Sequence, residues 1–192
     1  MKKIIVTIIF LLLLCSCSKA PKVNYTYDVV AEDVDMSVYD DLTSTDHCFK
    51  RVKTSELYNC YAKDSSGIFY LGYGTCPFCN KVIKYLNEVG LEMGVTIYYI
   101  DALNDEDLII GDNTNIRRLT KFLEPILEKD ENDKKVLMTP HVFTIINGEF
   151  YGSYVSLPYK INGDLDFDDP PTEKQINKVK KIYRNLFEPF VQ

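Results

Sequence analysis

The chain has 192 residues, enough for one domain with extensions, and its hydrophobic fraction of 46% is ordinary for a globular protein. Its formal charge of −6, with no cluster of basic residues in the sequence, argues against nucleic acid as a partner.

The first 16 residues are predicted to be a secretory signal peptide. A basic start, Met1–Lys3, precedes the apolar run Ile4–Leu14, in which Thr7 is the one polar residue. A membrane-spanning helix needs about 20 apolar residues, so this run is too short to cross and instead fits the apolar part of a signal. Removal of residues 1–16 takes two lysines away and leaves 20 basic against 28 acidic residues, a balance of −8.

The segment Leu14-Cys15-Ser16-Cys17 resembles a bacterial lipobox, in which a small residue precedes the cysteine that is lipidated and becomes the new N-terminus. Cys17 fits this role better than Cys15, because Ser16 is small and Leu14 is not. A lipidated Cys17 implies an extracytoplasmic protein that is lipid-anchored to the bacterial cell membrane rather than spanning it. The alternative is a secreted protein that is cleaved nearby.

Residues 17–46 are predicted to be the lipidated N-terminus and a polar tether. The stretch Ala31–Asp46 carries six acidic residues in sixteen, and it shows no strong periodicity. The alternative is one or two strands packed on the edge of the domain, because the apolar residues between Tyr25 and Val30 alternate weakly.

The folded domain is predicted to cover residues 47–192. It begins with a strand at residues 48–52 and a helix at residues 54–63. A strand at residues 68–71 that is apolar on both faces follows, and then a helix at residues 77–90 that ends at Gly90. A strand at residues 95–100 comes next, followed by a helix at residues 114–129 that Pro125 should kink or end early. A hairpin at residues 141–155 with an Asn147-Gly148 turn and a helix that begins at its cap, Thr172, complete the domain. Strands separated by helices imply parallel pairing, and the hairpin adds antiparallel strands. The sequence therefore predicts an α/β domain with a central mixed β-sheet flanked by helices.

Two motifs give this domain a specific resemblance. Gly74-Thr75-Cys76-Pro77-Phe78-Cys79 follows an aromatic strand, and Thr139-Pro140 precedes the hairpin. Together they resemble the thioredoxin-fold proteins, and the Cys-Pro-Phe-Cys core is most similar to glutaredoxin-type sites. With the export signal and the acidic stretch "IYYIDALND", the chain looks like the thioredoxin-like lipoproteins of Gram-positive bacteria that are grouped with bacteriocin-transport accessory proteins.

The resemblance carries further expectations. It implies a cis peptide at Thr139-Pro140 that faces the cysteines, with Pro140 keeping metal ions off the site and the backbone of Thr139 free to pair with an extended substrate strand. It also places Cys48 on the first strand and Cys60 on the first helix, which pack together in this fold. We therefore expect a structural disulfide between Cys48 and Cys60; two free buried thiols or a second redox pair are the alternatives.

The Cys76–Cys79 pair suits thiol–disulfide exchange, which needs an attacking thiolate and a second thiol that resolves the mixed disulfide. Cys76 is expected at a helix N-terminus, where unpaired N–H groups and the helix dipole lower the pKa of a thiol. Cys76 is therefore the expected nucleophile, and Cys79, one turn deeper and less exposed, the resolving thiol. Pro77 suits the first turn of the helix, and Phe78 either offers a partner an apolar surface or is simply exposed.

Two other chemistries of the pair are a zinc site and an inert disulfide. Zinc needs four ligands, and only Cys48, Cys60, His47 and His141 could complete the set. A loop as short as the one between the paired cysteines gains little stability from a disulfide. We therefore expect a redox pair that uses no metal and no cofactor.

The sequence does not identify the group that exchanges a proton with the resolving thiol. Members of the resembling family often hold a buried carboxylate beneath it, but the strand Phe69-Tyr70-Leu71 offers none. Water or Tyr70 would then take the proton, although a buried aromatic in a strand is usually part of the core. His141 could tune Cys76 but is more typical of an ordinary strand residue.

The sequence thus predicts a membrane-anchored, extracytoplasmic thiol–disulfide oxidoreductase that acts on protein cysteines, with protein thiols or disulfides as substrates and an unidentified redox partner. Whether it oxidises, reduces or isomerises depends on its reduction potential, which the sequence leaves open. The alternative is a non-catalytic accessory protein for bacteriocin export or immunity, with a partner bound at the acidic loops 102–113 and 158–171.

Overall fold

A mixed five-stranded sheet forms the centre of the computed structural model, which describes residues 20–108, 113–155, 160–161, 164–165 and 171–191. In chain order its strands are β1 (Phe49–Arg51), β2 (Gly67–Gly72), β3 (Ile97–Asp101), β4 (His141–Ile146) and β5 (Glu149–Val155). Strands β1, β3 and β2 are parallel neighbours, and β4 and β5 join antiparallel beyond β2. A separate ribbon pairs β6 (Lys160–Ile161) with β7 (Asp164–Leu165).

Helices cover both faces of this sheet. Within the described residues they are α1 (Thr54–Ala62), α2 (Pro77–Met93), α3 (Asn113–Leu123) and α4 (Glu173–Phe187), with 3-10 turns at Glu106–Leu108, Glu124–Ile126 and Glu188–Phe190. Side chains of α2 and α4 form one hydrophobic cluster with the sheet, and those of α1 and α3 form the other. Strands β2 and β4 are buried at every residue because both of their faces are covered.

The strand order β1-β3-β2-β4-β5, with three parallel strands and an antiparallel closing hairpin, is that of a thioredoxin-like fold. The predicted α/β class with a central mixed sheet is therefore confirmed. The Asn147-Gly148 turn of the hairpin has positive φ at both residues, 53° and 76°, as a type I′ turn requires. No helix among the described residues is long and apolar enough to cross a membrane.

The helix boundaries follow local chemistry, with one correction. Thr172 caps α4 in a capping box with Gln175, and α3 ends at Leu123 because Pro125 cannot continue it. The expected end of α2 at Gly90 is wrong: the helix runs to Met93, and Gly94 terminates it with a φ of 64°. Both glycines can end a helix in principle, but Gly90 serves packing instead.

The prediction of a polar tether over residues 17–46 is wrong for residues 20–46, which pack on the domain. Met36, Tyr39 and Leu42 are buried in the cluster beneath α2 and α4. Glu32 pairs with Arg51 in a single antiparallel bridge beside β1, so the alternative of an edge strand is realised only at that point. The sequence did not predict this packing, because the buried side chains of the segment are scattered and produce only a weak periodicity.

The predicted disulfide between Cys48 and Cys60 is also wrong in this structure, where both thiols are free. Cys60 lies in the cluster on the α1 and α3 side of the sheet. Cys48 packs on the opposite cluster, where its backbone N–H donates to Asn87 of α2 at 3.0 Å. The sheet therefore separates the two sulfurs, although their elements are neighbours in sequence.

Several predictions concern segments that lie outside the residues described by the structure. The predicted signal peptide at residues 1–16 and the predicted lipidation site Cys17 lie outside the described residues, as do residues 109–112 and much of the loop at 156–170.

Candidate active site

Cys76 occupies the junction between β2 and α2. It is the N-cap of α2, with extended backbone angles, and Pro77 follows in the first turn, where a missing N–H removes no helical hydrogen bond. The Sγ of Cys76 accepts the backbone N–H of Cys79 at 3.1 Å. A sulfur therefore takes the place that a Ser or Asp oxygen commonly has at a helix start.

This environment favours the thiolate of Cys76. Its pKa is lowered to about 6, first by the hydrogen bond with the Cys79 thiol and then by the backbone N–H of Cys79, with smaller help from Thr139 and Phe78. Burial of the side chain acts in the opposite direction and does not prevail. At neutral pH a lowered pKa leaves the sulfur ready to attack without a separate base.

Cys79 has the opposite character. Burial raises its pKa, and the neighbouring Cys76 raises it further. The side chain has no exposed surface, whereas Cys76 keeps 2% of its own, so the predicted difference in exposure is present but small. The buried member of the pair is thus held as a thiol.

The loop before β4 supplies the facing wall of the site. The Thr139-Pro140 peptide is cis, as the resemblance implied. The hydroxyl of Thr139 lies 3.8 Å from the Sγ of Cys76, within range of a weak hydrogen bond to sulfur. Residues more than sixty positions apart in sequence therefore meet at the reactive sulfur.

Asn80 holds the loop before the helix, a role that the sequence reasoning missed. Its side-chain amide donates to the carbonyl of Gly74 at 2.6 Å and to that of Cys76 at 3.2 Å. The same residue continues α2 through its backbone N–H to Cys76. The available signal was the Asn directly after the second cysteine, because such side chains bond nearby backbone groups at helix starts.

The N-terminal segment also borders the site. Gly74 lies so close to it that an added Cβ would sit 2.7 Å from the carbonyl oxygen of Val38. Val38 is exposed, whereas Tyr73 and Phe78 are partly buried and pack on the cluster that contains both active-site cysteines. Cys76 therefore belongs to the same hydrophobic cluster as Met36, Tyr39 and Leu42 of the N-terminal segment.

Three tyrosines lie beneath the cysteine pair. The hydroxyl of Tyr70 donates to Tyr39 at 3.4 Å, and that of Tyr39 donates to Tyr99 at 3.2 Å. Burial raises the pKa of all three. The sequence singled out Tyr70 alone; Tyr39 was missed because its segment was assigned to a tether.

His141 is a core residue. It is fully buried, and neither ring nitrogen has a hydrogen-bond partner among the residues that the structure describes. Its ring packs edge-on against Phe143, in the cluster on the other side of the sheet from the cysteine pair. Burial lowers its pKa to about 4. Across the described ranges, no group of three or more His, Cys, Asp or Glu side chains is arranged to hold a metal ion.

Similarity to known proteins is found among solved structures. No protein-family model matches the chain, and no curated protein does. Thioredoxin O2 from Arabidopsis thaliana, in its oxidised state, is 14% identical, with 76% of this chain and 96% of that chain covered at a TM-score of 0.42. Thioredoxin O1 from Arabidopsis thaliana is 16% identical, with 72% and 97% covered at 0.41. The strand order β1-β3-β2-β4-β5 assigns the thioredoxin-like fold.

Proposed function

We propose that the protein is a thiol–disulfide oxidoreductase of protein substrates, with Cys76 as nucleophile and Cys79 as resolving thiol. The observation that carries the proposal is the sulfur of Cys76 at the N-cap of α2, where it accepts the N–H of Cys79 and faces Thr139. A redox pair needs this asymmetry: one sulfur that is charged near neutral pH and one that is kept protonated until the second step.

The reaction proceeds by two displacements at sulfur. The Cys76 thiolate attacks a substrate disulfide, forms a mixed disulfide with one substrate sulfur and releases the other as a thiolate. Cys79 then loses its proton and attacks the Sγ of Cys76, which releases the first substrate sulfur and leaves a Cys76–Cys79 disulfide. The protein loses two electrons and the substrate gains them. The same steps in reverse oxidise a substrate dithiol, and the reduction potential of the pair sets the direction.

Trapping of the mixed disulfide tests this proposal. Cys79→Ser is expected to accumulate an adduct with a model substrate such as insulin, detected by intact mass and released by dithiothreitol. A Cys60→Ser change in the same background should leave the adduct in place, whereas Cys76→Ser should abolish it. If no adduct forms and the wild type neither reduces nor oxidises model substrates, the protein is not an oxidoreductase, and the accessory role becomes the better proposal.

The reduction potential of the pair then decides the direction. A value near −270 mV, roughly that of thioredoxin, would indicate a reductase, and one near about −120 mV an oxidase. Equilibration of Cys76 and Cys79 with glutathione or dithiothreitol buffers, read by alkylation and mass, gives this number.

The proposed cellular place is the outer side of the bacterial cell membrane, with Cys17 lipidated. It is supported by the apolar run at Ile4–Leu14 and by Ser16 before Cys17. Metabolic labelling with an alkyne fatty acid in a bacterial host should mark the wild type and Cys15→Ser but not Cys17→Ser. Equal labelling of both variants would exclude Cys17 as the site.

A further inference from the structure

The resolving cysteine has a chain of buried hydroxyls next to it. Tyr70 and Cys79 are both fully buried in the same hydrophobic cluster, and each side chain shifts the pKa of the other. From there the hydroxyls of Tyr70, Tyr39 and Tyr99 are linked in one direction, with donor–acceptor distances of 3.4 and 3.2 Å. Three tyrosine hydroxyls in mutual contact are unusual inside an apolar cluster, where unpaired polar groups are costly.

The far end of this chain meets a carboxylate at the edge of the sheet. The hydroxyl of Tyr99 interacts with the side chain of Asp101, two residues along β3 and therefore on the same face of the strand. Asp101 is only partly buried, and its oxygens also accept the backbone N–H groups of Leu103 and Asn104. The hydrogen-bonded tyrosines thus lie between the buried Cys79 and a carboxylate that is partly exposed to solvent.

Two other groups that could accept the Cys79 proton are not free to do so, which leaves the tyrosine hydroxyls as its route out of the site. The buried carboxylate of Asp105 is engaged by Thr54 at the start of α1 and lies with the other face of the sheet. Cys76 cannot take the proton, because its sulfur is occupied by the substrate when Cys79 must react. Of the hydroxyls in the chain, that of Tyr70 is the one that acts on the pKa of the Cys79 thiol as a hydrogen-bonding group.

We propose that Tyr70, Tyr39 and Tyr99 form a proton relay between the Cys79 thiol and the carboxylate of Asp101. In the resolving step the Cys79 proton passes to the Tyr70 oxygen while each tyrosine proton shifts to the next oxygen, and the last reaches Asp101. The electron pair left on Cys79 forms the bond to the Sγ of Cys76, and the substrate sulfur departs as a thiolate. In the reverse reaction the proton returns along the same groups.

Concerted transfer is required by the burial of the relay. Because burial raises the pKa of each tyrosine, none of them holds a negative charge by itself. The hydroxyls instead accept one proton and donate another, which a neutral phenol does in both orientations. Tyr39 is the central member, and it comes from the N-terminal segment that packs on the domain.

A stopped-flow reaction with 5,5′-dithiobis(2-nitrobenzoate) separates the two steps, and the inference rests on the proposed function. Attack by Cys76 releases one nitrothiolate in a phase proportional to reagent concentration. Attack by Cys79 on the resulting mixed disulfide releases the second in a phase independent of concentration. A Cys76→Ala variant measures the background from all the other cysteines, including Cys48 and Cys60, whose pKa values burial raises to about 12.

Tyr70→Phe and Tyr39→Phe each remove one hydroxyl and keep the ring. Both are expected to slow the second phase by about 10- to 100-fold and to leave the first phase unchanged, in keeping with the contribution of a placed proton acceptor. Tyr85→Phe is the matched control, because Tyr85 is buried in the same cluster but is not part of the hydroxyl chain. It should leave both phases unchanged, and urea unfolding should show that all variants are folded.

The outcomes separate the relay from the function it serves. If the second phase is the same in the wild type, Tyr70→Phe and Tyr39→Phe, the relay is overturned and the oxidoreductase stands. If Tyr85→Phe slows the second phase as much as Tyr39→Phe does, the effect comes from packing and the relay is also overturned. If the wild type shows neither phase above the Cys76→Ala background, the proposed function itself fails.

Discussion

The backbone N–H of Cys79 points at the sulfur of Cys76 across 3.1 Å, so the resolving residue stabilises the charge of the attacking one. Together with the side chain of Cys79, it is the main cause of the lowered pKa of Cys76. The pKa values of the two cysteines are therefore shifted in opposite directions, because burial and then the side-chain hydrogen bond with Cys76 raise the pKa of Cys79.

The first prediction concerns the titration of Cys76. Its alkylation rate by iodoacetamide should rise with pH around a midpoint near 6, because the thiolate is the reactive form. Cys79→Ala removes the largest cause of the shift and should move the midpoint towards the ordinary value of about 8.5. Thr139→Val should move it less. A wild-type midpoint above 8 would contradict the assignment of Cys76 as nucleophile.

The second prediction concerns the count of disulfides. Among the four cysteines of the domain, the oxidised protein should contain the Cys76–Cys79 bond and two free thiols, at Cys48 and Cys60, because the sheet lies between those two sulfurs. Alkylation in denaturant followed by peptide mass mapping measures this directly. Recovery of a peptide pair linked through Cys48 and Cys60 from folded protein would show that the sheet does not keep these two sulfurs apart.

The third prediction concerns the packing of the N-terminal segment. Leu42 is 6% exposed within the α2 and α4 cluster, so Leu42→Ala should lower the free energy of unfolding by about 2–5 kcal/mol. Val30, in the same segment, is 67% exposed, and Val30→Ala should change it by less than about 0.5 kcal/mol. Urea unfolding measures both. Equal, small effects would mean that residues 20–46 are a tether after all.

The redox pair and its facing loop could be predicted from sequence because each is a local motif. A CxxC after a buried strand fixes a helix N-terminus, and Thr139-Pro140 before a hairpin fixes the facing loop. The position of Tyr39 could not be predicted. Its burial depends on contacts with Tyr70 and Tyr99, which lie 31 and 60 residues further along, and no periodicity in its own segment announces them.

The errors over Gly90 and the Cys48–Cys60 pair have a common cause. Helix propensity allows a glycine to end a helix, and the short separation of Cys48 and Cys60 in the sequence allows their sulfurs to lie close together. Neither says which face of the sheet an element covers. In the structure α2 lies on the face that carries Cys48, so Gly90 stays inside the helix to make room for that sulfur, and Cys60 is left on the other side.

The fourth prediction concerns acid stability and His141. Its folded pKa of about 4 lies below the usual 6.5, so the unfolded chain binds a proton more readily between these values. Stability is therefore unaffected by this group above pH 6.5 and falls as the pH drops towards 4, by at most roughly 3 kcal/mol. His141→Leu should remove most of that loss, whereas His47→Gln should not. Parallel pH profiles for the wild type and His141→Leu in urea unfolding would refute the assignment.

The fifth prediction tests the close approach of Gly90 and Cys48. A Cβ at Gly90 would lie 2.3 Å from the Sγ of Cys48, so Gly90→Ala should destabilise the protein by about 1–3 kcal/mol despite the better helix propensity of alanine. Cys48→Ala removes that sulfur, so the double variant should be more stable than the sum of the two single effects, with a coupling of about 0.5–3 kcal/mol. Gly94→Ala is the matched control: its strain comes from a φ of 64° in open space, and its effect should simply add to that of Cys48→Ala. If both glycine variants add equally with Cys48→Ala in urea unfolding, the sulfur does not determine the need for glycine at position 90.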